Sequence, residues 1–278
     1  MSTAVARGFG WIAIVRLGLV QAAIGAIVML ATSLLNRVMV VEYALAAAIP
    51  AGLVAWHYAV QLARPLWGHG SDRGRKRTPW IGGGMAVLAG GALLAVRATT
   101  LMPGSALVGG VLAIAAFAMI GFGVGAAGTS MLALLASGVR PERRAAAAAV
   151  TWTMMIAGIV IAAGVAGALL DPFSEARLTA VAGSIALAAL GVALIAIWRL
   201  EPTNPVDFSD KHSSDAPGFA EALREIMQET AARRFTVLIF VSMLAYSMQD
   251  LILEPFAGLV FGMSPGESTS LSGTQHSG

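Results

Sequence analysis

The sequence predicts an all-α membrane protein with several crossings, and three observations predict it. Charged residues make up 12% of the 278-residue chain while 57% are hydrophobic, where a soluble domain carries about 25% charged residues. The apolar residues fall into runs of the roughly 20 needed to cross about 30 Å of hydrocarbon. Lysine and arginine collect in alternate connections between those runs, as membrane insertion requires. Two soluble domains, a disordered chain and a collagenous chain are excluded on the same composition.

Seven runs are long enough: Trp11–Leu35, Tyr43–Leu66, Trp80–Val96, Ala106–Ala136, Ala145–Leu170, Leu178–Trp198 and Phe235–Gly262. The first follows a short N-terminal stretch carrying Arg7 and is too long for a signal-peptide core, so it reads as an uncleaved span. With the N-terminus cytoplasmic, 14 of the 18 basic residues lie in inside segments. Only Arg37, Arg97 and Arg177 lie outside, and Arg16 sits within the first span. Trp11, Trp67, Trp80 and Trp198 then mark the cytoplasmic ends as an aromatic belt. The chain is expected to be a multi-pass membrane protein with a cytoplasmic N-terminus. The basic balance is a topology signal rather than a nucleic-acid surface.

Four segments follow. Residues 1–198 are a six-helix transmembrane bundle. Residues 199–234 are a cytoplasmic linker, proline-rich at first and then either a short amphipathic helix with Phe219, Leu223, Ile226 and Met227 on one stripe or a solvated connecting loop. Residues 235–262 are a seventh span, and residues 263–278 an outside tail rich in Ser, Gly and Thr with no further element. Six helices, a long linker and one more helix match half of a two-half transporter plus the start of the second half, so the chain is expected to be truncated.

The most informative loop is Gly68-His69-Gly70-Ser71-Asp72-Arg73-Gly74-Arg75-Lys76-Arg77. It resembles the loop signature of the major facilitator superfamily, one residue short before Gly74. The resemblance implies a cytoplasmic latch formed by Gly68, Asp72, Arg73, Gly74, Arg75 and Lys76, with Asp72 neutralising a neighbouring arginine and capping the next helix. A plain positive-inside loop is the alternative.

Further segments narrow the resemblance. These are Arg16 to Gln21, Leu35 to Glu42, Gln249 to Gly258 and Ser264 to Thr269. Together they resemble the PucC family, a branch of that superfamily in phototrophic bacteria that includes LhaA and a chain once labelled a bacteriochlorophyll synthase subunit. The resemblance implies an assembly factor for light-harvesting complexes. Its expected partners are antenna polypeptides, bacteriochlorophyll and membrane lipids, with bacteriochlorophyll as bound cargo rather than a required cofactor. The rival function is a proton-coupled small-molecule transporter.

Ionisable groups inside spans are functional candidates, because each costs about 2.5–3.5 kcal/mol to insert. Arg16 is a candidate or an interfacial anchor, and Gln21 a candidate or a bridge between helices. Asp250 lies about 24 Å into the seventh span at about 1.5 Å per residue, with Glu254 one turn further on the same face. These acids carry protons or a ligand, pair with Arg37 or Arg97, or simply snorkel to the interface. His57, between Trp56 and Tyr58, is a candidate axial ligand for a chlorin magnesium or a packing histidine. His69, His212 and His276 are too scattered for a metal cluster.

Gly121, Gly123, Gly125 and Gly128, with Gly158, Gly164 and Gly167, are expected to let helices approach closely. The chain has no cysteine, P-loop, paired-histidine zinc motif or aspartate-rich prenyl-diphosphate motif. A non-enzymatic role is therefore expected, despite the synthase label in the family.

Overall fold

The computed structural model describes residues 9–64, 67, 76–201, 224 and 227–277. Among them the regular structure is helical. α1 runs over Trp11–Glu42, α2 over Ala48–Gln61, α3 over Thr78–Leu101 and α4 over Ala106–Gly138. α5 spans Arg144–Leu170, α6 Glu175–Ile197, α7 Thr230–Phe261 and α8 Pro265–Ser277. Five helices, α1 and α3 to α6, are long and apolar enough to cross a membrane. The chain is a multi-pass membrane protein.

Three expectations need correction. The second run becomes helical only at Ala48, and its described helix runs to Gln61, because residues 43–47 leave the helical path and Ala44 takes a positive φ of 49°. The first helix does not stop at Leu35. Two π-helical turns, Leu30–Leu34 and Val38–Glu42, carry it on, so Arg37 is a helical residue buried to 1% exposure rather than a loop residue. The C-terminal segment, expected to hold no element, forms α8.

Local chemistry explains where α7 and α8 meet. Gly262 ends α7 in the left-handed region at φ 64°, which costs glycine nothing. Met263 N then donates to Ala257 O at 3.3 Å, closing the helix end. Two residues later, Glu267 N donates to Ser264 Oγ at 3.2 Å and Ser264 N donates to Glu267 Oε2 at 2.9 Å. That is a reciprocal capping box, with Pro265 at the first helical position where its missing N–H is no loss.

Packing rests on small residues. In lipid the hydrophobic effect does not drive one apolar helix onto another, so close contact of backbones has to. α1 lies along α5, and a Cβ on Gly158 would strike the Ala22 carbonyl, while one on Gly25 would lie 2.8 Å from Met155 O. α3 lies along α4 in the same manner, with Gly84 2.6 Å from Ala127 N and Gly123 2.6 Å from Leu88 N by that measure. α6 packs on both α3 and α1, α2 packs on α4, and α8 packs on α5. Of the glycines expected at close approaches, Gly121, Gly123, Gly125, Gly158 and Gly167 are there, whereas Gly128 and Gly164 face open space.

Gly158→Leu should therefore abolish the monodisperse peak in fluorescence-detected size exclusion, and Gly164→Leu on the same helix should leave it intact. Equal tolerance of both changes would contradict this packing.

Candidate functional site

The largest gathering of buried polar side chains among the described residues lies where α1, α7 and α8 meet. Ser33, Asn36, Arg37, Glu254, Ser268, Thr269 and Ser272 are each at most 3% exposed. The π turns of α1 turn three of them to one side. Glu254 is held by hydroxyls: Ser33 Oγ donates to Oε1 at 2.5 Å and Thr269 Oγ1 to Oε2 at 3.3 Å. Ser272 also hydrogen-bonds Glu254, and its Oγ lies 3.3 Å from Ser33 Oγ. Pro255 explains a further contact. A proline at 255 has no N–H for the carbonyl four residues back, Leu251 O. Asn36 Nδ2 supplies the missing hydrogen bond at 2.7 Å.

Arg37 does not pair with Glu254. Its Nη1 donates to Glu42 Oε1 at 2.6 Å and its Nη2 to Met263 O at 2.6 Å. The π turn from Val38 to Glu42 brings the carboxylate beneath the guanidinium. For Glu254 the expected pairing with Arg37 or Arg97 is thus not formed: Arg97 is exposed, and the one ion pair among the described side chains is Arg37–Glu42. Asp250 lies in α7 one turn before Glu254, and its side chain lies outside the described part.

The other candidates are spread apart. Arg16 reaches the end of α6, where Nε donates to Ala196 O at 2.8 Å and Nη2 to Trp198 O. A cation on the last carbonyls of a helix complements the negative end of its dipole. Gln21 links α1 to α5, its Nε2 3.1 Å from Met155 Sδ, and its Oε1 has no partner.

His57 is 1% exposed on α2, and its Nε2 lies 2.8 Å from Gln61 Nε2. The amide must donate, so Nε2 accepts and the ring hydrogen sits on Nδ1, which has no partner. Gln61 in turn accepts from Arg64. The lone pair that would bind a chlorin magnesium accepts the Gln61 hydrogen bond here, and Tyr58 stands edge-on to the ring at 4.9 Å.

Beside it, Trp56 is on the outer face, 43% exposed, and lines an apolar cleft of about 470 Å³ with Ile49, Gly52, Leu53, Met102, Gly110 and Ile114. The indole N–H is satisfied by Ile114 O at 3.1 Å, so the cleft presents no free polar group of that tryptophan. The sequence reading missed this cleft, which is made by residues 49–56 folding against residues 102–114.

Of the latch residues, Gly68, Asp72, Arg73, Gly74 and Arg75 lie outside the described residues, and Lys76 is exposed at the mouth of a cleft with Arg199 and Glu201. At the start of α3 Glu201 accepts from Arg77 N at 3.0 Å and Thr78 N at 2.7 Å and also from the Thr78 hydroxyl. An acid from beyond α6 thereby ties the ends of two helices together.

The fold and these intramembrane polar contacts define a multi-pass helical membrane protein with a buried carboxyl between three helices. Residues 34–278 match the family described as PUCC protein, and the chain belongs to that family. It is 51% identical over 274 residues to the "Bacteriochlorophyll synthase 44.5 kDa chain" of Rhodobacter capsulatus, covering 97% of this chain and 62% of that relative. It is 33% identical to an "Uncharacterized protein in puhA-bchM intergenic region" of Rhodobacter capsulatus, covering 93% of this chain and 56% of that protein. To "Protein PucC" of Cereibacter sphaeroides it is 30% identical, covering 94% and 59%. The chain spans less than two thirds of the length of these relatives.

Removing the Asn36 side chain should cost about 1–3 kcal/mol, the usual penalty for an orphaned buried carbonyl. Pro255→Ala restores the N–H that Leu251 O lacks, so Asn36→Ala with Pro255→Ala should melt at a higher temperature than Asn36→Ala alone. A double variant no more stable than the single one would refute the pairing of these residues.

Proposed function

We propose that this chain belongs to a membrane factor that holds bacteriochlorophyll while light-harvesting complexes are assembled, without catalysing pigment synthesis. The observation that carries the reading is membership of the PUCC family over residues 34–278, together with a relative named for bacteriochlorophyll. On this reading α1 to α6 make one facilitator-type half and α7 and α8 begin the second. The N-terminus is cytoplasmic in the bacterial inner membrane, which the placement of 14 basic residues on one side supports.

The pigment would meet the chain at the Trp56 cleft rather than at His57. A chlorin with its hydrocarbon tail is largely apolar, and an apolar cleft with an aromatic wall suits it. The basic residues at the cytoplasmic ends would contact anionic lipid headgroups, and antenna polypeptides would dock against the exposed helix faces.

Gly52 and Gly110 line the cleft with nothing within 4 Å of a Cβ at either. Gly52→Leu and Gly110→Leu should therefore fill it without disturbing the helices. Chain purified from a bacteriochlorophyll-producing host should carry pigment by near-infrared absorbance, and each substitution should lower it several-fold while His57→Gln leaves it unchanged. Pigment-free protein, or pigment lost on changing His57 alone, would overturn the reading.

A further inference from the structure

The buried Glu254 cluster plays no part in the pigment reading. Its carboxyl is 1% exposed, receives hydroxyls from two other helices, and has no cationic side chain in contact among the described residues. Among the described side chains the packed elements carry these charged residues: Arg37 and Glu42 of α1, Asp171 at the end of α5 and Glu267 of α8, while Asp250 and His276 have side chains outside the described part. The contacts of Arg37 go to Glu42 and Met263 O. Asp171 and Glu267 both accept from Ser264.

An ion buried this deeply needs a counter-charge in contact, whereas a neutral acid is satisfied by hydroxyls that both donate and accept. When the acid is protonated one of these hydrogen bonds reverses, the acid O–H donating to a hydroxyl oxygen, which a hydroxyl permits because it both donates and accepts. Thr269 and Ser272 belong to α8, Ser33 to α1 and Glu254 to α7. A charge on the acid would be solvated only by opening the cluster. The element best placed to leave is α8, whose other hold is its contact with α5 across Gly167, Gly266 and Gly273.

We propose that Glu254, with Ser33, Thr269 and Ser272, is a proton-binding site whose occupancy keeps α8 docked on α1 and α5. The protonated acid closes the cluster. Loss of the proton to water leaves an uncompensated charge, and α8 separates. This does not depend on bacteriochlorophyll, because the readout is helix docking.

The chain contains no cysteine, so an introduced pair reports cleanly. A Cβ on Gly273 lies 3.2 Å from Ala163 Cβ, close enough for a disulfide between α8 and α5. Ala163→Cys with Gly273→Cys is oxidised in liposomes from mildly acidic to alkaline pH, with and without Glu254→Gln, which mimics the protonated acid. The cross-link yield relative to the Gln variant should fall several-fold as pH rises. A constant ratio would overturn the proposal. Thr269→Val keeps the acid but removes a hydroxyl that only the docked cluster offers it, so docking weakens and the fall should move to lower pH. An unmoved profile rejects the site even where the Gln variant does not accumulate.

Discussion

Inside hydrocarbon there is no water to complete a hydrogen bond, so a polar group without a protein partner costs several kcal/mol. α1 is the helix on which this constraint falls hardest. Along its length Arg16, Gln21, Ser33, Asn36 and Arg37 each reach a different neighbour: the end of α6, a methionine of α5, the acid of α7, the backbone of α7 and the turn before α8. The contacts of α1 therefore account for the placement of most of the other helices. Its two π turns are part of the same solution, since they let Ser33, Asn36 and Arg37 serve α7 and α8 within a few residues. π turns inside α-helices recur at functional sites, and here the irregularity coincides with the buried carboxyl.

Much of the architecture could be read from the chain. Long apolar runs separated by basic connections show through as α1 and α3 to α6, because length and polarity alone decide what hydrocarbon accepts. Glu254 could be singled out because an acid is costly in such a run. Its partners could not, since Ser33, Thr269 and Ser272 are separated from it in sequence and ordinary in composition. Arg37 read as the start of an outside loop because a charge usually ends a span; burial against Glu42 and Met263 O overrides that rule.

α8 was legible and went unread. Ser264-Pro265-Gly266-Glu267 is a capping box with proline at the first helical position, although the Ser/Gly/Thr composition around it suggests a loop. The same small residues let α8 lie against α5, where Gly167 and Gly266 meet with scarcely room for a Cβ. Polarity in these helices thus serves both closeness and specificity, and it is concentrated at the side where the chain's last two helices meet its first and fifth.

α7 is secured unevenly. Its final turns carry Leu251, Glu254 and Ala257 into buried contacts, while Phe235, Leu238, Phe240, Val241 and Leu244 near its start stand exposed. A rod held at one end is a lever. From Leu251 back to Thr230 is roughly 31 Å at about 1.5 Å per residue, so a tilt of about 10° at the Asn36 clasp swings the far end by roughly 5 Å. A displacement too small to break the clasp becomes, at the far end of the helix, a movement about as wide as a side chain.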